Sequence, residues 1–276
     1  MSEGDLRRLE THFAFGDNWR SFVATVNEEQ IAEAVRGLSR LVPAEEMTGR
    51  RLIDIGCGSG LSMLAALRLG ARSVLGIDID PRSVEAARAL LARHQPAGDW
   101  DVRAASVFDL TADADGRFDI VHSWGVLHHT GDLWGAIGRA AKLVAPGGRL
   151  VIAIYRKTPL CGFWQREKRF YSQSGPLTQH AIRLAYQAAY CAGLLATGRN
   201  PLRYIRDYKS ARGMSWPHDT HDWLGGYPYE SATPETIVRC LNELGFDARQ
   251  TFAKPAAARG LFGSHCDEFV FARRPD

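Results

Sequence analysis

Short apolar runs alternate with amphipathic stretches through the middle of the chain. The apolar runs predict strands at Arg51 to Ile55, Ser73 to Ile77, near Val102, Phe118 to His122 and Arg149 to Ile154. Between them, helical spacing of apolar residues predicts helices from Gly60, after Asp80 and from about Leu133 to Val144. Strands that alternate with helices form βαβ units, which favour a parallel sheet with right-handed crossovers. We therefore predict an α/β fold with a Rossmann-like, doubly wound sheet.

Capping residues and turn residues mark where several helices begin and end. The run Asn27 to Gln30 is typical of a helix N-terminus, and so are the pairs Asp80-Pro81 and Thr233-Pro234. A Pro146-Gly147-Gly148 turn is predicted before the fifth strand. The helix after Thr233 ends at Gly245, and two strands near residues 246–252 and 268–272 follow. These strands predict a closing hairpin whose last strand is antiparallel to the rest of the sheet.

The alternation stops between residues 155 and 230, which predicts a helical insert after the fifth strand. All eight tyrosines of the chain lie there, and residues 156–222 hold eleven Lys and Arg against four Asp and Glu. One of its helices is expected near Thr178 to Thr197. We divide the chain into an N-terminal segment with the first helix (1–49), a Rossmann-like core (50–154), a basic and aromatic insert (155–230) and a closing helix and hairpin (231–276).

Composition excludes several classes of protein. A formal charge of +3 over 276 residues is too mild to indicate nucleic-acid binding by itself. The five cysteines are odd in number and show no CxxC spacing, so we expect neither a disulfide framework nor a zinc site. The most apolar stretch, about Ala181 to Ala196, is interrupted by Arg183 and Gln187, and no basic leader opens the chain. We expect a cytoplasmic protein that does not engage a membrane.

A glycine-rich loop follows the first strand, in the run Gly56-Cys57-Gly58-Ser59-Gly60. Glycine allows a sharp turn there and lets a ligand approach the backbone. A dinucleotide fingerprint has its third glycine one residue later, where Leu61 stands, so the spacing argues against a pyrophosphate. Asp78 ends the second strand, where a carboxylate accepts the hydroxyls of an adenosine ribose. The alternative for Asp78 is a helix cap, but Asp80 is better placed for that role.

These segments, in this order, resemble the class I S-adenosylmethionine-dependent methyltransferases of the small-molecule type. The resemblance covers about residues 50–154 and the closing elements, and it rests on Leu52 to Gly60, Gly76-Ile77-Asp78, Ala105-Ser106-Val107, Phe118-Asp119-Ile120-Val121 and Pro146-Gly147-Gly148. It implies S-adenosylmethionine as the cofactor and S-adenosylhomocysteine as the product. It also implies that the core binds the cofactor and that the insert faces the acceptor.

The resemblance assigns cofactor contacts to individual residues. Asp54 and the loop residues Gly56, Cys57, Gly58 and Gly60 would contact the methionine part, and Asp78 the ribose. Ile79 and Val107 would cover the adenine faces. Ser106, where the family usually has Asp, would bond the adenine edge, with Asp109 as the alternative. Ser123 and Trp124 follow the fourth strand at the ligand-binding edge of the sheet.

The N-terminal aromatic segment, which holds His12, Phe13, Phe15 and Trp19, either folds over the cofactor as a lid, serves as a packing strand or forms a dimer contact. Whether the protein forms a homodimer is therefore left undecided by the sequence.

His128 and His129 are the first candidates for catalytic residues, because either would act as a base at neutral pH. The alternatives are that they line the site, or that they cap the following loop and close over the sulfonium. The carboxylate that supports such a histidine in some related sugar methyltransferases is missing, since Ile154-Tyr155-Arg156 stands at its place. Tyr229 is a third candidate, because the segment from His218 to Glu230 is rich in acid-base groups and glycines and should lie over the active site. No helix and no metal site are expected in that segment.

The sequence does not decide which class of acceptor is methylated. Three interpretations apply to the basic residues of the insert, Arg199, Arg203, Arg206, Lys209 and Arg212. They form a solvated face of a lid, or they bind a small anionic substrate such as a sugar or nucleotide-linked metabolite, or they bind nucleic acid. We favour methylation of a hydroxyl or amine on a small-molecule acceptor. The alternatives are an RNA or tRNA base methyltransferase and a non-catalytic protein that only binds S-adenosylmethionine.

Overall fold

A single sheet organises the molecule. The computed structural model describes residues 16–212, 216–253 and 260–275. Within them the strands are β1 (Arg51–Ile55), β2 (Ser73–Asp78), β3 (Asp99–Ala104), β4 (Phe118–Trp124), β5 (Val144–Tyr155), β6 (Phe246–Phe252) and β7 (Cys266–Arg273). They form a seven-stranded sheet in the order β3-β2-β1-β4-β5-β7-β6. β1 to β5 pair in parallel, and β7 is antiparallel to both of its neighbours, β5 and β6. The predicted fold class is confirmed.

Helices cover the sheet and form the insert. The helices that precede the insert are α1 (Gly16–Val23), α2 (Glu28–Leu41), α3 (Ala44–Met47), α4 (Leu61–Arg68), α5 (Pro81–His94), α6 (Ala112–Asp115) and α7 (Leu133–Lys142). Four helices lie between β5 and the closing helix α12 (Pro234–Glu243): α8 (Cys161–Gln173), α9 (Pro176–Ala196), α10 (Pro201–Arg212) and α11 (Trp216–Gly225). The parallel strands and their helices thus precede the insert in the chain, and the antiparallel pair follows it.

The predicted caps lie where the sequence placed them. Asn27 and Gln30 form a capping box at the start of α2. The Asp80 side chain accepts a hydrogen bond from the amide of Arg82 and caps α5, and Thr233 caps α12 in the same way. These bonds satisfy amides that the helix itself leaves without acceptors.

Two hydrophobic cores sandwich the sheet. One contains apolar residues of α2, α4 and α5, such as Leu38, Leu64 and Leu90. The other contains residues of α7 and α12, such as Ile137 and Ile237. A third, smaller cluster lies in the insert and includes Cys161, Trp164, Tyr171, Leu224 and Tyr229. The ion pair of Arg156 with Asp267 of β7, 2.7 Å between Nε and Oδ2, fixes the start of the insert to the sheet.

Two local predictions are wrong. The Pro146-Gly148 turn lies within β5 and does not precede the strand. The register of β4 and β5 shifts between two pairs of residues: Phe118 pairs with Val144, and Ile120 pairs with Arg149. The turn residues lie between these pairs and form an irregularity in β5. The segment after His218, expected to lack helix, belongs to α11. His12, Phe13 and Phe15 lie outside the described residues.

Neither a membrane-spanning helix nor a cluster of metal ligands occurs among the described residues. Among them, no helix is long and apolar enough to cross a membrane. In the same part of the chain, no group of His, Cys, Asp and Glu side chains is arranged to hold a metal ion.

Candidate active site

A cavity of about 2220 Å³ opens at the carboxyl ends of the strands and extends into the insert. The glycine loop after β1 forms one wall, through Gly56, Cys57 and Gly58. All three loop glycines have positive φ, +73° at Gly56, +51° at Gly58 and +77° at Gly60. A side chain would be strained there. The loop therefore presents bare backbone to whatever binds.

Each glycine of the loop also makes room for a specific neighbour. A Cβ at Gly56 would lie 2.4 Å from the Val126 side chain, and one at Gly58 would lie 3.0 Å from the Trp19 ring. A Cβ at Gly60 would lie 2.9 Å from the Cβ of Ala87 in α5. Gly60 is not part of the cavity wall, so its place in the structure is to let α5 pack closely.

Asp78 projects from the end of β2 into the cavity wall. Its Oδ2 accepts from the Gly58 amide at 3.0 Å, and its Oδ1 accepts from the Asp80 amide at 2.9 Å. Burial raises the pKa of Asp78 from 3.8 to about 6. It does not cap α5, which Asp80 does. A carboxylate oxygen keeps a second lone pair, so Asp78 still has capacity to accept ribose hydroxyls.

Beyond Asp78 the cavity wall combines two aliphatic side chains with a hydroxyl. Ile79, Ser106 and Val107 all line the cavity. The Ser106 hydroxyl accepts from the Phe108 amide at 3.3 Å and keeps its own proton to donate. Asp109 is not part of this wall, because its carboxylate turns back to accept from the Ser106 amide at 3.0 Å. The glycine cradle, the Asp78 carboxylate and this wall fit the adenosyl group that the resemblance implies.

Trp19 closes the cavity above the glycine loop. Its ring lies against Gly58, and both residues line the cavity. The helix α1 that carries Trp19 is held by the Gly16 amide, which donates to Asp80 Oδ2 at 3.0 Å. A Cβ at Gly16 would lie 2.4 Å from that oxygen, so the contact needs glycine. The described part of the N-terminal segment thus lies where a lid over the cofactor would.

Asp54 has a partner that the sequence analysis missed. Asp54 of β1 and His122 of β4 are opposite each other in the parallel register. His122 Nδ1 lies 2.7 Å from Asp54 Oδ1, and the two residues are 3% and 2% exposed. Both line the cavity. Their register on adjacent strands was the signal that would have paired them, once the strand order was known.

Ser123 and Trp124 differ in their positions. Ser123 is completely buried and donates to the Ile55 carbonyl at 2.9 Å, so it ties β4 to β1 and does not reach the cavity wall. The position of its side chain does not support the expected contact with the cofactor. Trp124 is 51% exposed and lines the cavity. Its Nε1 donates to Glu268 of β7 at 3.4 Å.

The structure does not place His128 at the cavity. His128 is completely buried, with its ring centroid 4.0 Å from that of Tyr155 and 4.5 Å from that of His129. Its Nδ1 accepts from the Tyr155 amide at 3.3 Å, so the proton of the neutral ring is on Nε2. Burial lowers the pKa of His128 well below its usual value. The ring is buried and its Nδ1 lone pair is occupied by the Tyr155 amide, so His128 supports the site from behind.

His129 does line the cavity, at the carboxyl end of the sheet. Its Nδ1 lies 2.6 Å from the carbonyl oxygen of Pro228, which belongs to the insert. The ring is in edge contact with Tyr155, 5.4 Å between centroids. A Cβ at Gly226 would lie 2.8 Å from His129 Cε1, so the insert approaches this ring closely through glycine. Residues on both sides thus hold His129 in one orientation.

Tyr229, the third catalytic candidate, is buried away from the cavity wall. Its hydroxyl lies 2.7 Å from Ser264 Oγ and 3.3 Å from Cys161 Sγ. Burial raises the pKa of Tyr229 above its usual value. The Tyr229 hydroxyl therefore fixes the insert to the loop before β7. This position favours a structural role for Tyr229 over a catalytic one.

The acidic segment of the insert does reach the cavity. Asp219 and Asp222 of α11 both line it, and burial raises the pKa of Asp222 from 3.8 to about 7. His221 points elsewhere, with Nδ1 2.6 Å from the Tyr171 hydroxyl. The side chain of His218 lies outside the described residues. Sequence reasoning placed this segment over the site, and it missed Tyr155, which replaces the expected carboxylate and contacts both histidines.

Comparison with known proteins gives a family match over most of the chain. Residues 26–251 match the family described as "Methyltransferase domain". Among curated relatives, the ubiquinone biosynthesis O-methyltransferase of Xanthomonas euvesicatoria pv. vesicatoria is 39% identical over 114 residues. That match covers 41% of this chain and 46% of the relative. The namesake from Xanthomonas axonopodis pv. citri is 39% identical over 121 residues, 44% of this chain and 48% of the relative. The chain thus spans about half the length of these relatives.

Solved structures share the fold. A magnesium protoporphyrin IX methyltransferase from Synechocystis PCC 6803 with bound SAH aligns with a TM-score of 0.55 and 18% identity over 93% of both chains. An S-adenosylmethionine-dependent methyltransferase from Mesorhizobium loti aligns with a TM-score of 0.51 and 19% identity, over 86% of this chain and 96% of that one. At these identities the likeness is one of architecture.

Proposed function

Because the chain belongs to the S-adenosylmethionine-dependent class I methyltransferases, we propose that it methylates a hydroxyl of a small-molecule acceptor with His129 as the general base. S-adenosylmethionine is the cofactor. The observation that carries the proposal is the contact of His129 Nδ1 with the Pro228 carbonyl, 2.6 Å, on a ring that lines the cavity.

The contact determines which nitrogen of His129 carries the proton. A carbonyl oxygen only accepts, so Nδ1 donates to Pro228 and the neutral ring has its lone pair on Nε2. This is the tautomer that a general base needs, and the ring is oriented by a fixed backbone group. A carboxylate is therefore not required to orient His129. This is consistent with Tyr155 standing where some related enzymes have that carboxylate.

The bound cofactor supplies an electrophilic methyl group whose leaving group is a neutral thioether, so the protein mainly aligns the reactants. The acceptor hydroxyl loses its proton to His129 Nε2 as its oxygen forms the new bond to the methyl carbon. The glycine loop and Asp78 would hold the cofactor, which would supply the methyl group and keep the electron pair of its carbon–sulfur bond as a neutral thioether. The imidazolium then returns its proton to solvent.

Two further features support a hydroxyl acceptor. A neutral amine attacks without first losing a proton, so a base held in this way has a use mainly in O-methylation. The curated relatives that match residues of the core are named O-methyltransferases. Their names describe those proteins, and here they add weight to the same choice.

The test is the variant His129→Gln, which keeps a hydrogen-bond donor and removes the base. Release of S-adenosylhomocysteine is measured with a panel of phenols, catechols, sugars and amines. With the hydroxyl acceptor that is turned over, kcat should fall about 10²- to 10⁴-fold. Binding of S-adenosylhomocysteine, measured by calorimetry, should stay within about twofold.

The matched control is His180→Gln, because His180 is exposed on α9, where its Nδ1 lies 3.1 Å from an Arg183 guanidinium nitrogen. It should leave turnover unchanged. Undiminished O-methylation by His129→Gln would refute the role of the base, and turnover confined to amines would refute the hydroxyl acceptor.

A further inference from the structure

Aromatic rings form a continuous wall from the candidate base into the insert. The wall begins at Tyr155 beside His129 and ends at Tyr204. Successive ring centroids lie 5.4 Å apart for Tyr155–Trp223, 5.6 Å for Trp223–Trp164, 6.0 Å for Trp164–Tyr186, 6.1 Å for Tyr186–Tyr190 and 5.5 Å for Tyr190–Tyr204. Each of these rings except Trp164 lines the cavity. The cavity therefore has an aromatic side that leads away from the reacting end.

The hydroxyls of three tyrosines of the wall, Tyr186, Tyr190 and Tyr204, are bonded within the protein. The hydroxyls of Tyr190 and Tyr204 bond each other at 2.9 Å. Tyr186 donates its hydroxyl proton to the Phe262 carbonyl at 2.9 Å, and burial raises its pKa. The Phe262 ring packs 5.1 Å from that of Tyr190 and also lines the cavity. With their hydroxyls occupied, these residues offer ring faces to a ligand.

A guanidinium stands at the far end of the wall. Arg199 lines the cavity, and its Cζ lies 5.8 Å from the centroid of the Tyr204 ring. Within the described ranges, no carboxylate pairs with it. By contrast, Arg203 and Arg206 share Asp207, at 3.5 Å and 2.9 Å. Arg199 is therefore available to an incoming anion.

We propose that the acceptor is an elongated molecule with a flat aromatic body and an anionic group at the end remote from the methylated hydroxyl. The aromatic wall stacks on the body, and Arg199 pairs with a carboxylate or phosphate. The orientation of the acceptor, with its hydroxyl at His129, rests on the proposed function. The binding of the body and the anion does not.

The test measures binding alone, in the presence of saturating S-adenosylhomocysteine. Equilibrium dialysis compares 4′-hydroxybiphenyl-4-carboxylate, the corresponding phosphate monoester and neutral 4-hydroxybiphenyl. At least one anionic probe should bind about tenfold more tightly than the neutral one. The arm that does so distinguishes a carboxylate acceptor from a phosphorylated one.

Variants of the insert test which residues bind the anionic group and the aromatic body of the probe. Arg199→Gln should remove the advantage of the anion and leave the neutral probe unchanged, whereas the matched variant Arg203→Gln should keep it. Tyr190→Leu should weaken all probes, with the melting temperature measured to show that the protein is folded. Equal affinity for charged and neutral probes, or equal losses in the two arginine variants, would overturn the proposal. Because no methyl transfer is measured, a failure of the His129 prediction leaves this result standing, and the reverse also holds.

Discussion

The carboxylate of Asp78 should make cofactor binding depend on pH in a range where most aspartates no longer titrate. Burial raises its pKa from 3.8 to about 6, with smaller contributions from Asp80 and Asp54. Ribose hydroxyls donate to the ionised form, so binding favours that form and releases any proton that Asp78 carries. At pH 5 about one-tenth of the free protein has Asp78 ionised, against nearly all of it at pH 7.5. Affinity should therefore fall about tenfold between these values, or roughly 1.4 kcal/mol.

Calorimetry with S-adenosylhomocysteine between pH 5 and 8 measures this dependence. The variant Asp78→Asn keeps the size of the side chain and cannot ionise. At pH 7.5 it should bind about 1 to 3 kcal/mol more weakly, because it loses a charged acceptor and leaves one of two backbone amides without a partner. Its affinity should be nearly constant below pH 7. Asp113→Asn, on the exposed surface of α6, should behave as the wild type.

The difference between wild type and Asp78→Asn isolates this group from other acidic groups at the site, such as Asp222. Parallel pH profiles for the two proteins would refute the reasoning, since the dependence would then come from elsewhere. Affinity that rises as the pH falls would refute it as well.

Two further perturbations test the packing around the site. Gly60→Ala should lower the free energy of unfolding by about 1 to 3 kcal/mol in urea denaturation, because φ is +77° and the new Cβ would lie 2.9 Å from Ala87. The control is Gly138→Ala, at a helical position where the new Cβ would have nothing within 4 Å, and it should be neutral or stabilising by up to about 1 kcal/mol. Similar losses in both variants would contradict this explanation. His122→Phe should lower the free energy of unfolding by about 1 to 3 kcal/mol, because it leaves the buried Asp54 carboxylate without its partner at 2.7 Å. The double variant with Asp54→Asn should recover part of the loss. Strictly additive losses would show that the two residues are not coupled.

The core of the fold followed from local patterns because each pattern acts within a few residues. The capping pairs at Asn27, Asp80 and Thr233 fixed helix starts, and the positive-φ glycines fixed the loop after β1. The Pro146-Gly148 segment was misjudged because strand pairing on both sides draws it into β5. Tertiary pairing overrides turn propensity there.

The site was only partly predictable, because sequence places a residue at a strand end without fixing the direction of its side chain. Ser123 and Trp124 are neighbours, yet one is buried in the sheet and the other faces the cavity. The same holds for His128 and His129, whose directions depend on contacts with Tyr155 and Pro228. Those contacts join segments far apart in the chain. No periodicity within either segment encodes them.

The contact between His129 and Pro228 also bears on how this enzyme could be re-engineered. The His129 imidazole follows β4 at the edge of the sheet, whereas the Pro228 carbonyl that it contacts belongs to the insert. On the proposed mechanism, the base and the acceptor pocket are therefore not separate modules. Transplanting a foreign insert onto this core would deliver a new pocket and, in the same step, remove the backbone group that sets the base. A chimera designed for new acceptors would need the stretch from Gly226 to Pro228 retained along with the host sheet.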